Sequence, residues 1–302
     1  MRITMLILAL AVAFTSSEAQ QRIERRYAVT PTSSIRLTAV SQSTVLRVIG
    51  WDRDSLVFTG EVGESARVDG GVGANGAGAK LFVETPAAAA ASPARLELRV
   101  PSRSRIWVKL GTGSVEVSGV RGAMDINIVS GTINVTGDLR ELNAETMDGD
   151  IVVNGRAGWL RAKTAGGAVT ISGGGDDVGL TSVSGMVSML GGSMQRGRIE
   201  TITGDVLVAA GVERGGQLTI DSHSGHVELR HARDAGADFD VITVQGTVTN
   251  QLSSARPQPG MGARGLELGT SVAGGGRSIT IRTFKGPVSL VADTAKAARS
   301  RP

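Results

Sequence analysis

The sequence predicts an all-β protein, a single-stranded β-helix or solenoid with about 18–21 residues and two main strands in each coil. The first observation is a glycine-led phrase that recurs at steps of 18 residues in mid-chain, with weaker copies at longer steps. A fixed period of this size is typical of chains wound into stacked coils. The glycines of the nine copies are Gly113, Gly131, Gly149, Gly167, Gly185, Gly204, Gly225, Gly246 and Gly286.

Alternation of apolar and polar residues around each glycine is the second observation. The residue two positions after the glycine is valine or isoleucine in every copy, and apolar residues also prevail four positions after it and seven and five positions before it. Such alternation indicates half-buried strands, so positions −7, −5, +2 and +4 are predicted to face inward. The first five copies have another glycine at +6, where a tight turn is expected: Gly119, Gly137, Gly155, Gly173 and Gly191.

Residues 1–19 have the features of a secretory signal peptide. Arg2 provides the charged start, Ile3–Phe14 is the apolar stretch, and small residues precede the cleavage point expected before Gln20. The apolar stretch is too short to span a membrane. The chain is therefore predicted to be exported, to the periplasm or to the cell surface, with no transmembrane segment in the mature protein.

Residues 20–104 are predicted to form an N-terminal β region that contains the first coils and caps the open end of the rod. Gly50–Asp54 is expected to be a turn, and the low-complexity stretches Gly70–Gly78 and Ala87–Ser92 are expected to be loops. The predicted strands are Ser34–Val40, Thr44–Ile49, Ser55–Thr59, Lys80–Glu84 and Arg95–Val100.

Residues 105–292 are predicted to form the solenoid repeats. Residues 250–277 interrupt the repeat with prolines and many glycines, which predicts a protruding loop, with a short strand at Gly265–Gly269, before the last coil at Ser278–Val291. Residues 293–302 are predicted to be a disordered tail.

Composition argues against several classes of function. The net charge of +4 is small for 302 residues, charges alternate in sign, and aromatic residues make up only 3%, so nucleic-acid binding is disfavoured. The absence of cysteine excludes thiolate metal sites and disulfides. No cofactor motif is present, because no G-K-[ST] sequence follows the glycine-rich turns.

Three phrases in order resemble a known bacterial family. They are Val48–Asp52 (V-x-G-W-D), Leu98–Pro101 (L-x-V-P), which precedes the glycine-led repeats, and the closing Thr283–Leu290 (T-F-x-G-x-V-x-L). Together they are similar to the "putative adhesin" family of exported or membrane-anchored bacterial proteins, over roughly residues 27–291. The resemblance implies a β-solenoid envelope protein without known enzymatic activity and without catalytic residues that can be carried over.

Two sets of residues are candidates for chemistry. Asp148 and Asp150 flank Gly149 and could form the carboxylate pair of a polysaccharide lyase or glycosidase, although turn residues that bond to the backbone are the favoured interpretation. The histidines flanking Gly225 could bind zinc or copper, although the alternating frame places them on different walls of one coil: His223, His226 and His231. No binding residues are assigned.

The three tryptophans are Trp51, Trp107 and Trp159. They could stack on sugars, but they form no row in the repeat, so packing in the core or in an end cap is favoured.

The preferred hypothesis is a non-enzymatic envelope or surface protein that binds a polymer, such as a cell-envelope glycan, or a protein partner along its repetitive faces. A β-helical polysaccharide-active enzyme and an envelope-stress signalling accessory are the alternatives.

Overall fold

A computed structural model describes residues 20–86, 93–260 and 264–293. These residues are all-β, and no helix among them is long and apolar enough to cross a membrane. The predicted signal peptide, the loop predicted at Ala87–Ser92 and residues 294–302 of the predicted tail lie outside the described residues.

Twenty strands make up the described part of the chain and belong to one sheet. They are β1 Gln20–Ala28, β2 Ser34–Trp51, β3 Ser55–Gly63, β4 Arg67–Val72, β5 Gly78–Glu84, β6 Ala94–Pro101, β7 Arg105–Ser118, β8 Ala123–Thr136, β9 Leu139–Asp148, β10 Ile151–Thr164, β11 Val169–Ser182, β12 Val187–Thr201, β13 Val206–Ser222, β14 Val227–His231, β15 Ala237–Thr243, β16 Val248–Asn250, β17 Gln258–Pro259, β18 Leu266–Val272, β19 Ser278–Thr283 and β20 Val288–Ala292.

Parallel pairing in the middle of the chain has the register that the sequence period predicts. Gly131 of β8 pairs with Gly113 of β7, and Val169 of β11 pairs with Ile151 of β10, both at a separation of 18 residues. Between β12 and β13 the separation is 19 at Val187 and 21 at Ile199, after register shifts, and it is 21 between β13 and β14. Corresponding residues of successive copies are therefore neighbours on adjacent strands.

The positions predicted to face inward form the hydrophobic core. They are buried in nearly every copy, as at Ile133 and Val135 of β8. Val248 and Asn250 in the short β16 are only partly buried. Gly197 has no side chain at its inward position, and a Cβ atom there would overlap Sδ of Met194, whose buried side chain fills the space.

Close approach of neighbouring strands explains the repeated glycine. A Cβ atom on Gly149 would overlap the carbonyl group of Gly131, and one on Gly167 would overlap the carbonyl group of Gly149. Gly149 also has a φ of +141°, whereas Gly167 has no such strained backbone, so the close approach is the shared reason. The glycines at +6 all have positive φ, but the turns predicted there are wrong for Gly155, Gly173 and Gly191, which lie within β10, β11 and β12.

A row of buried hydroxyl groups lies three positions before the glycine, and the sequence reasoning missed it. The side chain of Ser182 donates to the carbonyl oxygen of Gly167 (3.2 Å) and accepts from the amide of Gly185 (2.9 Å), so it joins two successive turns. These hydroxyls satisfy buried backbone groups at the corner. The row comprises Thr146, Thr164, Ser182, Thr201, Ser222, Thr243 and Thr283.

The N-terminal region adds layers to one end of the parallel stack. β2 pairs in parallel with β7 on one edge and with β5 and β6 on the other. β4 then pairs antiparallel with β5, and β3 joins β6 to β1. The five predicted strands are present but longer, and two of them, Ser34–Val40 and Thr44–Ile49, are parts of the single strand β2. β1 and β4 were not predicted, and the end of β4 lies in the stretch predicted as a loop from Gly70.

Spatial order departs from chain order at the other end. β19 lies between β13 and β15, and β20 lies between β14 and β16, all in parallel. The last copy in sequence is thus inserted between two earlier copies. The segment 250–277, predicted as a loop with a strand at Gly265–Gly269, contains β17 and the longer β18, which pairs antiparallel with β15.

Candidate ligand-binding groove

The predicted acidic pair lies at an exposed turn. Oδ1 of Asp150 accepts a hydrogen bond from the backbone amide of Ala168 (2.8 Å), the corresponding residue of the next copy. Asp205 accepts in the same way from the amide of His226 (2.8 Å). This supports a backbone-bonding role for Asp150, across copies rather than within its own turn, while Asp148 lies beside it with an exposed side chain.

The three histidines have separate surroundings. His223 stacks on Phe284 with ring centroids 5.1 Å apart, and Nε2 of His226 lies 3.0 Å from Oγ of Ser289. His231 is buried and donates from Nε2 to the carbonyl oxygen of Ala235 (2.6 Å). No group of three His, Cys, Asp or Glu side chains within residues 20–86, 93–260 and 264–293 could hold a metal ion.

Burial lowers the pKa of His231, and the positive charge of Arg277 acts in the same direction. The hydrogen bond to Ala235 opposes these effects without cancelling them. The imidazole is therefore held neutral over a wider pH range than an exposed histidine.

A groove of about 570 Å³ lies on the outward face of strands β7 to β12. Its walls come from positions −8, −6 and −4 of successive copies, which alternate with the buried positions −7 and −5. The side chains that line it from the outward positions are Arg105, Trp107, Ala123, Asp125, Glu141, Asn143, Glu145, Trp159, Arg161, Lys163, Thr181, Arg198 and Glu200.

Two tryptophans lie in this groove, three strands apart. Trp159 is 40% exposed, and the guanidinium carbon of Arg161 lies 4.6 Å from its ring centroid. Trp107 is half-buried, with Arg36 and Arg105 at 5.6 Å and 5.7 Å from its ring. The prediction that they pack in the core or end cap is wrong for both. Trp107 lies at position −6 and Trp159 at position −8 of its copy. These positions alternate with the inward positions −7 and −5, and this alternation could have predicted that both rings lie on the outward face.

Ion pairs position two of the arginines of the groove. Arg105 pairs with Glu141 (3.2 Å), and Arg161 pairs with Asp177 (2.7 Å), which also accepts from Arg196 (3.2 Å). Burial acts to raise the pKa of Asp177, but the hydrogen bonds and charges of the two arginines together hold it below its usual value. Asp177 therefore stays ionised and fixes Arg161 against Trp159.

Gly179 makes room for this arrangement. It follows Arg161 in the same outward row, and a Cβ atom there would lie 2.7 Å from Cδ of Arg161. The side chains of Asn143, Glu145 and Lys163 also line the groove, and none of these side chains has a hydrogen bond or ion pair to another described residue. The groove thus combines an exposed aromatic ring with polar groups that are free to bind a ligand.

Comparisons with known proteins give only distant similarities. No protein-family model matches the sequence, and no curated protein matches it significantly. A structure described as a putative adhesin from Parabacteroides merdae covers 90% of this chain and 96% of its own length, at 9% identity and a TM-score of 0.49. A putative adhesin from Bacteroides fragilis covers 91% and 99%, at 13% identity and a TM-score of 0.40.

A structure described as a putative lipid binding protein from Parabacteroides distasonis covers 89% of this chain and 96% of its own length, at 11% identity and a TM-score of 0.47. Identities and TM-scores this low support no conclusion about a shared function.

Proposed function

We propose that this chain is a non-enzymatic, exported envelope or surface protein that binds a polysaccharide in the groove of β7 to β12. The observation that carries the proposal is the exposed ring of Trp159 beside Asn143, Glu145 and Lys163 in one open groove. Export rests on the signal-like residues 1–19, and the adhesin-like character rests on the three sequence phrases.

Sugar rings suit this combination of groups. A sugar presents C–H faces that pack on an aromatic ring, and hydroxyl groups at its edge that donate and accept hydrogen bonds. Arg161 covers one face of Trp159, so the exposed remainder of the ring is the stacking surface. Two guanidinium groups surround Trp107, so it is expected to contribute less.

The length of the groove favours a polymer over a single sugar. Trp107 and Trp159 lie on strands three steps apart, which corresponds to about 14 Å at the usual strand spacing. An extended chain of several sugar rings is needed to contact both. A polymer can also make several weak contacts along the groove at once, and together these contacts give a higher affinity than any one of them alone.

The charges of the groove favour a ligand without high charge. Four cationic side chains, Arg105, Arg161, Lys163 and Arg198, are balanced by the four acidic side chains Asp125, Glu141, Glu145 and Glu200. A polyanion such as nucleic acid binds to clustered cations, so a neutral or weakly charged glycan is the better fit.

The architecture proposed for this function is a β-solenoid. The 18-residue parallel register and the glycine contacts support winding into coils over residues 105–292, with residues 20–104 as the N-terminal β region. Asp148 and Asp150 do not line the groove, and the carboxylate of Asp150 bonds to the backbone, which supports binding rather than cleavage.

A binding screen with cell-envelope and capsular polysaccharides tests the proposal. Trp159→Ala should weaken binding of the polysaccharide found by about tenfold or more, and Trp107→Ala should have a smaller effect. Phe82→Ala removes an exposed aromatic ring outside the groove and is the matched control. Binding that Trp159→Ala leaves unchanged, or release of reducing ends from the polysaccharide, would contradict the proposal.

A further inference from the structure

An exposed apolar ridge runs along one corner of the stacked strands. It consists of the residues two positions before each repeat glycine from Gly131 onward, and six of its eight members are large hydrophobic residues that are 38–66% exposed. We call it the corner ridge. In spatial order its residues are Val129, Met147, Ala165, Val183, Ile202, His223, Phe284 and Val244.

Backbone hydrogen bonds join the members of the corner ridge. The amide of Gly166 donates to the carbonyl oxygen of Met147 (3.1 Å), and the amide of Gln245 donates to that of Phe284 (2.7 Å). His223 stacks on Phe284 and so keeps the surface continuous. Seven steps at the usual strand spacing give the ridge a length of roughly 34 Å.

The exposed area of the corner ridge is large for an unpartnered surface. With roughly 150–200 Å² for each large side chain, the exposed fractions leave about 500 Å² of apolar surface, near the upper end for the largest patch on a monomer. A stable interface buries about 800 Å² on each partner. The ridge alone supplies about 500 Å² of this area, so such an interface must also bury part of the polar rows beside it.

We propose that the corner ridge binds the corner ridge of a second copy of this chain, antiparallel, around a two-fold axis between Val183 and Ile202. A two-fold interface requires a surface that is complementary to itself. In this arrangement the small Ala165 faces the larger His223, and the other pairs join hydrophobic residues. The facing pairs are Val183 with Ile202, Ala165 with His223, Met147 with Phe284, and Val129 with Val244.

Charges on both sides of the ridge complement one another in the same arrangement. On one side of the ridge, at position −1, Asp148 faces Lys285 of the second copy. On the other side, at positions −4, Glu145 faces Arg282 and Lys163 faces Asp221. Five of these six side chains make no ion pair with another described residue, whereas Asp221 pairs with Arg198 (3.8 Å). The five are Asp148, Lys285, Glu145, Arg282 and Lys163.

A parallel arrangement of the two ridges is disfavoured by the same charges. In that arrangement the two-fold axis would run along the ridge. The residue at position −4 of each repeat in one chain would then face the residue at position −1 of the same repeat in the other chain. Glu145 would then face Asp148, and Arg282 would face Lys285. Like charges across an interface weaken the wrong arrangement, so the antiparallel dimer is specified.

The oligomeric state of the purified protein tests the proposal, measured by sedimentation velocity over a range of concentrations. The protein should be a dimer, and Ile202→Glu at the centre of the ridge should weaken dimerisation at least 100-fold. Phe82→Glu places the same charge on an exposed hydrophobic residue outside the ridge and should leave the dimer intact.

Charge reversal tests the antiparallel arrangement. Asp148→Lys and Lys285→Glu should each weaken the dimer roughly tenfold, and the double variant should restore it, because each reversed charge again faces its opposite. Both residues lie outside the groove. Glu145 and Lys163 line the groove as well as the edge of the interface, so the single variants should bind polysaccharide, per chain, at least as well as the dimer. A monomer at all concentrations, a monomer whose ridge binds phosphatidylcholine vesicles, or a double variant no better than the single ones would overturn the proposal.

Discussion

Substitution of a repeat glycine by alanine tests the physical basis of the stack. Gly167 is the best position, because its backbone is not in the left-handed region and the effect of a Cβ atom is therefore purely one of space. A Cβ atom there would lie 1.9 Å from the oxygen and 2.2 Å from the carbon of the Gly149 carbonyl group.

The expected cost is about 3 kcal/mol. A carbon and an oxygen in contact need more than 3 Å between them, so one strand must move by about 1 Å, and overpacking of this kind costs about 1–3 kcal/mol. Such a movement also stretches the hydrogen bond from the Gly167 amide to Thr164 (3.2 Å) and that from Ala168 to Asp150 (2.8 Å). With about 0.6 kcal/mol/K of unfolding entropy for this chain length, Tm should fall by about 5 °C.

Circular dichroism during thermal and urea unfolding measures the effect of Gly167→Ala. The matched control is Gly111→Ala in β7, where a Cβ atom would have no neighbour within 4 Å. That variant should be neutral or slightly stabilising, because alanine restricts the unfolded chain. Equal stability of the two variants would show that close approach of the backbones does not explain the repeated glycine.

Three further predictions concern single positions. Thr85→Val should raise the free energy of unfolding by up to about 1 kcal/mol, because the fully buried Oγ1 of Thr85 has no hydrogen-bond partner within the described part of the chain. His231 has a lowered pKa in the folded protein, so the unfolded chain takes up its proton first. The urea midpoint should therefore fall as the pH drops below about 6.5, and it should fall less in His231→Phe. Met194→Ala should cost about 2–4 kcal/mol through the cavity it leaves, and Gly197→Met, damaging alone, should recover part of that loss in the Met194→Ala background, as measured by urea unfolding.

The core and the register of the parallel strands were predictable because they depend on local chemistry. Alternation at Ile133 and Val135 follows from the geometry of a strand with one buried face. The repeat of Gly149 and Gly167 follows from contact between neighbouring turns. Each constraint recurs in every copy, so the period of the sequence reveals it.

The insertion of β19 and β20 was not predictable from the period. Every copy presents nearly the same backbone ladder and the same inward residues, so a copy such as that of Gly225 can pair with Gly286 as well as with Gly246. The period identifies which residues are equivalent, but not which copies are neighbours. The step of 40 residues between Gly246 and Gly286 marks where the order changes, since the intervening β18 has to pair with β15.

Positions that vary between copies are where specific binding can arise in such a protein. The glycine and, from the copy of Gly149 onward, the buried hydroxyl three residues before it are constrained by backbone contacts, so they vary little between those copies. The outward positions −8, −6, −4 and −2 carry no such constraint. Within the groove, only one copy has tryptophan at position −8 (Trp159), and only one has glycine at position −6 (Gly179). Together these two residues hold one aromatic ring and one guanidinium group at a single place along the stack. A surface built from equivalent positions can therefore bind a ligand specifically only where neighbouring copies carry different side chains, as they do between Trp107 and Arg198.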